Sequence, residues 1–255
     1  MSGQATGILL RRLAGYAVAT LALIGVWALA ASAVDSPALP GPVVALAEFG
    51  RLAPELWPEA LVSLWRVLAA MALGVALAVP LGLALGRSPK ADAVLAPIVF
   101  LTYPVPKVVF LPVFLVLLGL GDAPKIALIG LIVFFQILVT ARDAAKSVPE
   151  ASVLSVRSLG AGRADVARHV IVPAAMPEIF TALRIGTGTA IAVLFLAESI
   201  AGTNGLGYYI VDAWGRIDYP AMFAGIIAMA LLGVALYELL DALEARVTRW
   251  RRSAS

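Results

Sequence analysis

The sequence contains no cysteine and one histidine, His169, and charged side chains make up only 14% of its 255 residues. Without cysteine there is no disulfide framework, no thiolate zinc cluster and no thiol nucleophile. A lone histidine cannot supply the histidine pair of HExxH. Facing aspartates, or serine and histidine at one depth, are also missing from the apolar runs, so an intramembrane enzyme is not expected. The pattern G-x-x-x-x-G-K-S/T is absent, so the chain cannot hold a nucleotide through a P-loop of its own. The net charge of +3 rests on basic residues gathered in short connections, and no nucleic-acid partner is expected.

What the chain has in excess is apolar surface. Hydrophobic residues make up 62% of it and the mean hydropathy is +0.97, whereas soluble domains hold about 45–50% apolar residues. The expected fold class is all-α, a polytopic membrane protein lying in the lipid bilayer. The first run, Leu13 to Val34, follows Arg11 and Arg12 like a signal peptide but is too long for one, and is expected to be a retained span. Further spans are expected at 61–86, 93–120, 123–141, 177–199 and 219–239, giving six helices.

Orientation follows from lysine and arginine in the short connections. With a cytoplasmic N-terminus, the inside holds Arg11, Arg12, Arg87, Lys90, Arg142, Lys146, Arg157, Arg163, Arg168, Arg246, Arg249, Arg251 and Arg252, and the outer loops hold only Arg51 and Arg216. Both termini are therefore expected in the cytoplasm. Residues 35–60 form an acidic outer connection whose Pro37, Pro40, Pro42, Pro54 and Pro58 argue against one continuous helix. The other outer segment, Ser199 to Pro220, has turn glycines followed by tyrosines and a tryptophan, and could dip back into the membrane.

In the second span Ala70, Gly74, Ala78, Gly82 and Gly86 place a small residue at every fourth position, which lets helix backbones approach closely. In "LTYPVPKVVFLP", Leu101 to Pro112, three prolines bracket Lys107 near the middle of its span, where a lysine costs about 2.5–3.5 kcal/mol on insertion scales. Such backbone is tolerated where protein or water satisfies it. Either Lys107 and Tyr103 line a path that favours an anionic group, or Lys107 pairs with Glu198 or reaches an interface. Arg184 is expected to anchor the fifth span at its interface. Thr187 and Thr189, in "GTGTA", either bond the preceding turn or face a pathway.

The segment "SVRSLGAGRADVARHVIVPAAMPEIF", Ser155 to Phe180, interleaves Arg157, Arg163, Asp165, Arg168 and His169 with Val166, Val170 and Ile171 in amphipathic helical spacing. Gly160 and Gly162 allow a redirection between two short helices, and Pro173 and Pro177 are expected to end it and restart the chain into the fifth span. It is a solvated loop, a helix on anionic lipid, or a docking surface.

Gly160, nine residues, then Val170-Ile171-Val172-Pro173 resembles the EAA loop of permease subunits of binding-protein-dependent ABC importers, whose pattern is E-A-A, three residues, G, nine residues, I-x-L-P. "AAMPEIFTALRIGTGTAIAVLFLAE", "PKVVFLPVFLVLLGLG" and "GLGYYI" resemble the nitrate, sulfonate and taurine branch, so the likeness covers residues 60 to 240. Leu154, Ser155 and Val156 stand where the family has glutamate and two alanines, and "EAS" at Glu150 is four residues out of register. The resemblance implies a single permease domain of the type I (MetI-like) fold over residues 1–255. It comprises a first span at 1–34, a core at 60–245 and a coupling loop at 142–173.

The implied partners are a second permease copy, two cytoplasmic ABC ATPase subunits, and an extracytoplasmic substrate-binding protein. ATP and magnesium would lie on the ATPase and no cofactor on this chain, in a bacterial inner membrane. The solute would be small and anionic: sulfonate, taurine, nitrate, bicarbonate or a related organic compound. Coupling would fall to Leu154, Arg157, Leu159, Gly160, Arg163, Asp165, Val166, Arg168, Val170 and Pro173. Leu159, Val166 and Val170 would supply its apolar anchor, and Tyr103, Lys107, Thr187, Thr189 and Glu198 would line the path. The alternative is a secondary transporter driven by an ion gradient, although such proteins often repeat a broken helix in each half and no second copy of the proline-rich helix is found.

Overall fold

The computed structural model describes residues 2–249, with side chains described from residue 14 onward. Arg251 and Arg252 of the expected inner set lie outside the described residues, as do the side chains of Arg11 and Arg12. The elements are α1 (Ser2–Val34), α2 (Pro42–Arg87), α3 (Pro89–Thr102), a 3-10 turn (Lys107–Phe110), α4 (Leu111–Leu118), α5 (Asp122–Ser147), α6 (Glu150–Arg157), α7 (Arg163–Val166), a π-type turn (Ala167–Ile171), α8 (Val172–Ala201), α9 (Leu206–Gly215) and α10 (Tyr219–Val247). Among the described residues five helices are long and apolar enough to cross a membrane, or six if the bent pair flanking Tyr103–Pro106 is one span.

The small-residue ladder of α2 meets α5. A Cβ on Gly74 would sit 3.1 Å from Val133 and 3.3 Å from the Phe134 nitrogen, and one on Gly82 would sit 2.7 Å from the Leu138 carbonyl. Gly86 abuts Arg142 and Ala145 in the same way. With no hydrophobic drive between helices in lipid, this close fit is what packs them. Leu128, Ile129, Val133 and Ile137 of α5 fill the core beside Val67 and Ala78 of α2 and Leu183, Ala190 and Leu194 of α8. The first span lies outside this core, held by Trp27 stacked on Phe223 at 5.5 Å and donating to the Pro40 carbonyl at 3.1 Å.

Two expectations need correction. Residues 42–60 are the N-terminal part of α2, not an irregular connection. Pro42 occupies its first turn, where no N–H is needed, and Pro54 and Pro58 lie on an exposed face of the helix. The third span is broken at its prolines, as their positions lead one to expect. It bends by 84° between α3 and the segment Lys107–Leu118, with Pro106 extended at φ −66°, ψ 96°. Pro173 and Pro177 do not interrupt the chain, because Arg163–Ala201 runs through as one helical rod. The π-type turn widens the helix where the ring of Pro173 would otherwise meet the carbonyl four residues earlier.

Beyond the C-terminal end of α5, α6 and α7 flank a turn at Gly160, whose φ of +87° suits glycine. A satellite cluster of Ala145, Val148, Val153, Val166 and Ile171 packs both short helices against the base of α5. The outer segment after α8 folds back as α9, whose Leu206, Ile210 and Ala213 are buried.

Candidate functional site

Polar side chains gather at three levels of the bundle. The outermost is centred on Arg66, about 32 Å along α2 from Arg87 and hence near the opposite membrane face. Arg66 is 1% exposed and Glu198, at the end of α8, is 0% exposed. The five N–H groups of the guanidinium all face acceptors. Nε and Nη2 meet Asp122 Oδ1 at 2.8 and 2.7 Å, Nη1 meets Glu198 Oε1 at 2.7 Å and the Asn204 carbonyl at 3.0 Å, and Nη2 meets Asn204 Oδ1 at 2.5 Å. Glu198 also accepts from Ser63 Oγ at 2.9 Å and from the Gly207 nitrogen at 2.8 Å. Ser63 Oγ in turn accepts from the Leu206 nitrogen at 2.9 Å, and Glu59 accepts from the Gly205 nitrogen.

The loop that closes over this cluster has to be glycine. At Gly205, φ is +100° and a side chain would strike the Glu198 carboxyl and lie 2.7 Å from Arg66 Nη1; at Gly207 a Cβ would lie 2.7 Å from that of Glu198. Lys125 is also buried here, donating to the Gly121 carbonyl at 2.7 Å. Glu198 is therefore neither on an open path nor paired with Lys107.

The middle level contains Lys107. Its ammonium donates to the carbonyls of Tyr103 at 2.7 Å, Thr102 at 3.1 Å and Val105 at 3.3 Å, and sits over the rings of Phe135 at 4.6 Å and Tyr103 at 5.4 Å. The bend frees carbonyls at the C-terminal end of α3, and a cation there is favourable. Lys107 and Tyr103 line a cleft of about 280 Å³ with Gln136 of α5. One turn on, Thr140 lines a cleft of about 360 Å³ with Glu178 and Thr181. Gln136 Nε2 reaches Thr189 Oγ1 at 3.4 Å, while its buried Oε1 has no donor among the described residues.

Of the expected path residues, Tyr103, Lys107 and Thr189 thus converge on Gln136. Thr187 does not. It is buried, donates to the Leu183 carbonyl at 2.9 Å and borders a separate cavity of about 1180 Å³ between α1, α8 and α10. Arg184 bridges α8 to Asp241 at 2.8 Å and Glu244 at 3.0 Å towards the C-terminal end of α10.

The inner level is the segment around Gly160. Leu159 is 87% and Leu154 56% exposed, and Arg157, Arg163 and Arg168 point to solvent. Asp165 caps α7 by accepting from the Gly162 nitrogen at 3.0 Å. Val166, expected on the surface, is buried in the satellite cluster, and Val170 is half-buried against it. The exposed apolar groups are Leu154 and Leu159 instead. Pro173 lies half-buried in the first turn of α8. Arg87 meets Glu150 at 2.8 Å, and Asp92 of α3 is held by Arg142, one bond being 2.8 Å, and by Lys146 at 3.4 Å.

Sequence reasoning missed Arg66, Ser63, Asp122, Lys125, Asn204 and Gln136. The signal was available for the two cations, since a charge within an apolar span needs a partner. Among the described residues no group of three His, Cys, Asp or Glu side chains could hold a metal ion.

The family described as "Binding-protein-dependent transport system inner membrane component" matches residues 71–249. The taurine transport system permease protein TauC of Escherichia coli (strain K12) is 38% identical over 195 residues, 76% of this chain and 71% of the relative. A probable ABC transporter permease protein of Brucella abortus (strain 2308) is 35% identical over 237 residues, 91% and 93% of the two chains. In fold, the chain is similar to one from the inward-facing MetNI methionine ABC transporter, with a TM-score of 0.63 and 21% identity over 76% of this chain and 96% of that one. A helical bundle with a broken third span and a glycine-turned segment between α5 and α8 agrees with that match, and the chain belongs to this family of inner-membrane permease subunits, the non-catalytic components of ABC importers whose ATPase is a separate chain.

Proposed function

We propose that two copies of this chain enclose a path for a small sulfonate-like anion on the flank formed by α3, α5 and α8. The carrying observation is that Tyr103, Lys107, Gln136, Thr140 and Thr181 line open clefts on that flank, at positions within the spans. Polar groups at such depth are unfavourable against lipid and fit a face covered by protein or water. A taurine permease among the relatives and the Lys107 ammonium at the edge of the cleft support a sulfonate.

In this reading an extracytoplasmic binding protein delivers the solute, and two ATPase subunits, which hold ATP and magnesium, dock on Leu154, Arg157, Leu159, Gly160, Arg163 and Arg168. Both termini lie in the cytoplasm. ATP binding closes the ATPase pair, the segment Glu150–Ile171 moves with it and the permease pair opens outward; hydrolysis resets it. The test is sulfonate uptake by proteoliposomes containing permease, ATPase and binding protein. Gln136→Leu should impair uptake while leaving the assembly intact. Gly160→Val should abolish hydrolysis stimulated by the binding protein. Normal uptake with Gln136→Leu and Lys107→Met would remove the path from this flank, and normal coupled hydrolysis with Gly160→Val would remove coupling from this segment.

A further inference from the structure

We infer that the Arg66–Glu198 cluster is a permanent joint that makes the outer loop Gly202–Gly207 and α9 move with α8, and that Arg66, Ser63 and Asn204 are thereby positioning residues for transport. The inference rests on the reading of the Gly160 segment as the ATPase contact. Three observations carry it.

The first is continuity. Arg163–Ala201 is helical throughout, passing from α7 through the π-type turn into α8. The α8 portion alone has 30 residues, so it spans about 45 Å. Its inner end adjoins the Gly160 turn and its outer end carries Glu198. A displacement applied at one end is present at the other.

The second is the completeness of the cluster. Each guanidinium N–H has an acceptor, and Glu198 has donors from α2, from Ser63 and from the start of α9. Separating groups that are 1% and 0% exposed would strand a buried charge, a state that costs far more than a surface pair does. A latch opened in every cycle would need water or alternative partners for these groups. Ser63, Asn204, Gly205 and Gly207 fill the space around them instead.

The third is the contrast with the rest of the subunit. α2 is locked onto α5 by the contacts of Gly74, Gly82 and Gly86, so the joint ties α8 to a block that cannot shear internally. Among residues 89–120, by contrast, only Leu111 is buried. Motion within the subunit is left to the bent third span, and the outer loop follows α8.

The test uses the complete transporter in proteoliposomes and measures solute imported per ATP hydrolysed. Asn204→Ala and Ser63→Ala each remove one arm of the joint while the Arg66–Glu198 pair remains. ATP hydrolysis stimulated by the binding protein should persist, because the inner contact is untouched. Solute per ATP should fall about fivefold or more, the lower end of energetic coupling between distant sites. Unchanged stoichiometry in both variants would overturn the proposal. So would a rise in hydrolysis without binding protein, which would mark the cluster as a restraining latch, or failure of both variants to assemble, which would make its role purely structural. If the ATPase contact itself is misplaced, Gly160→Val will hydrolyse ATP in the coupled way, a result independent of the outer variants.

Discussion

Arg66→Met should destabilise the permease substantially, and much of the loss should be recovered in the double variant Arg66→Met with Glu198→Gln. Removing the guanidinium strips the 2.7 Å partner from a carboxylate that is 0% exposed, leaving Ser63 and the Gly207 nitrogen as its donors. Breaking a buried pair in this one-sided way costs about 3–5 kcal/mol. Asp122 adds little to that figure, since its side chain is 45% exposed and water can replace the arginine. For a chain of this size each kcal/mol shifts the midpoint by roughly 2–4 °C, so the single variant should melt on the order of 10 °C lower. Glutamine at position 198 keeps an acceptor for the Gly207 nitrogen and for Ser63 but carries no charge. The double variant should therefore regain about 0.5–3 kcal/mol relative to additivity, the range found for residues in contact. The assay is the fraction of detergent-solubilised permease that remains monodisperse after heating, measured for wild type, both single variants and the double. A drop of less than about 2 °C in Arg66→Met, or strict additivity, would show that the pair is hydrated in the membrane and that the burial argument fails.

Gly82→Val should separate α2 from α5, because its Cβ would lie 2.7 Å from the Leu138 carbonyl, and overpacking of this kind costs about 1–3 kcal/mol. Gly188→Ala, with nothing within 4 Å of the new Cβ, should melt like wild type in the same scan. Since the chain has no cysteine, single cysteines report topology without background. One at the exposed Thr203 should react with an impermeant maleimide in intact cells, and one at Ser158 only after permeabilisation; reactivity of Ser158 from outside would sink the cytoplasmic assignment. Leu159→Asp should weaken ATPase binding about tenfold or more, the effect of losing an apolar hot spot, without altering the melt. Val166→Asp should lower the melt instead, because that side chain is buried.

Much of the bundle was legible because lipid makes periodicity and length decisive. The small-residue ladder in α2, the turn at Gly160 and the break at Tyr103–Pro106 could each be located from residue type alone. Proline was misjudged in two places. Pro54 and Pro58 argue from sequence against one continuous helix, yet on the exposed face of α2 they are accommodated within it. The register shift that lets Pro173 sit inside a continuous rod leaves no pattern in the sequence. The satellite cluster shows a different limit: amphipathic spacing puts Val166 and Val170 on one face but does not say whether that face meets the membrane base or a partner. Lys107 was found and its partners were not, because the carbonyls that neutralise it exist only once the helix is broken.

The polar residues inside the spans separate by how far their hydrogen bonding is satisfied. Around Arg66 donors and acceptors match almost one for one, and glycines remove the space in which water or solute could intervene. Around Gln136 the match is incomplete: one weak bond to Thr189, an amide oxygen without a donor, and clefts on either side. In a bilayer an unsatisfied polar group cannot borrow a bond from lipid. It persists where something that comes and goes supplies the partner, such as a water file, a solute or the face of another subunit. The same criterion that excludes Glu198 from the path therefore selects Gln136 for it, although the acidic residue is the more conspicuous in the sequence and the amide the less.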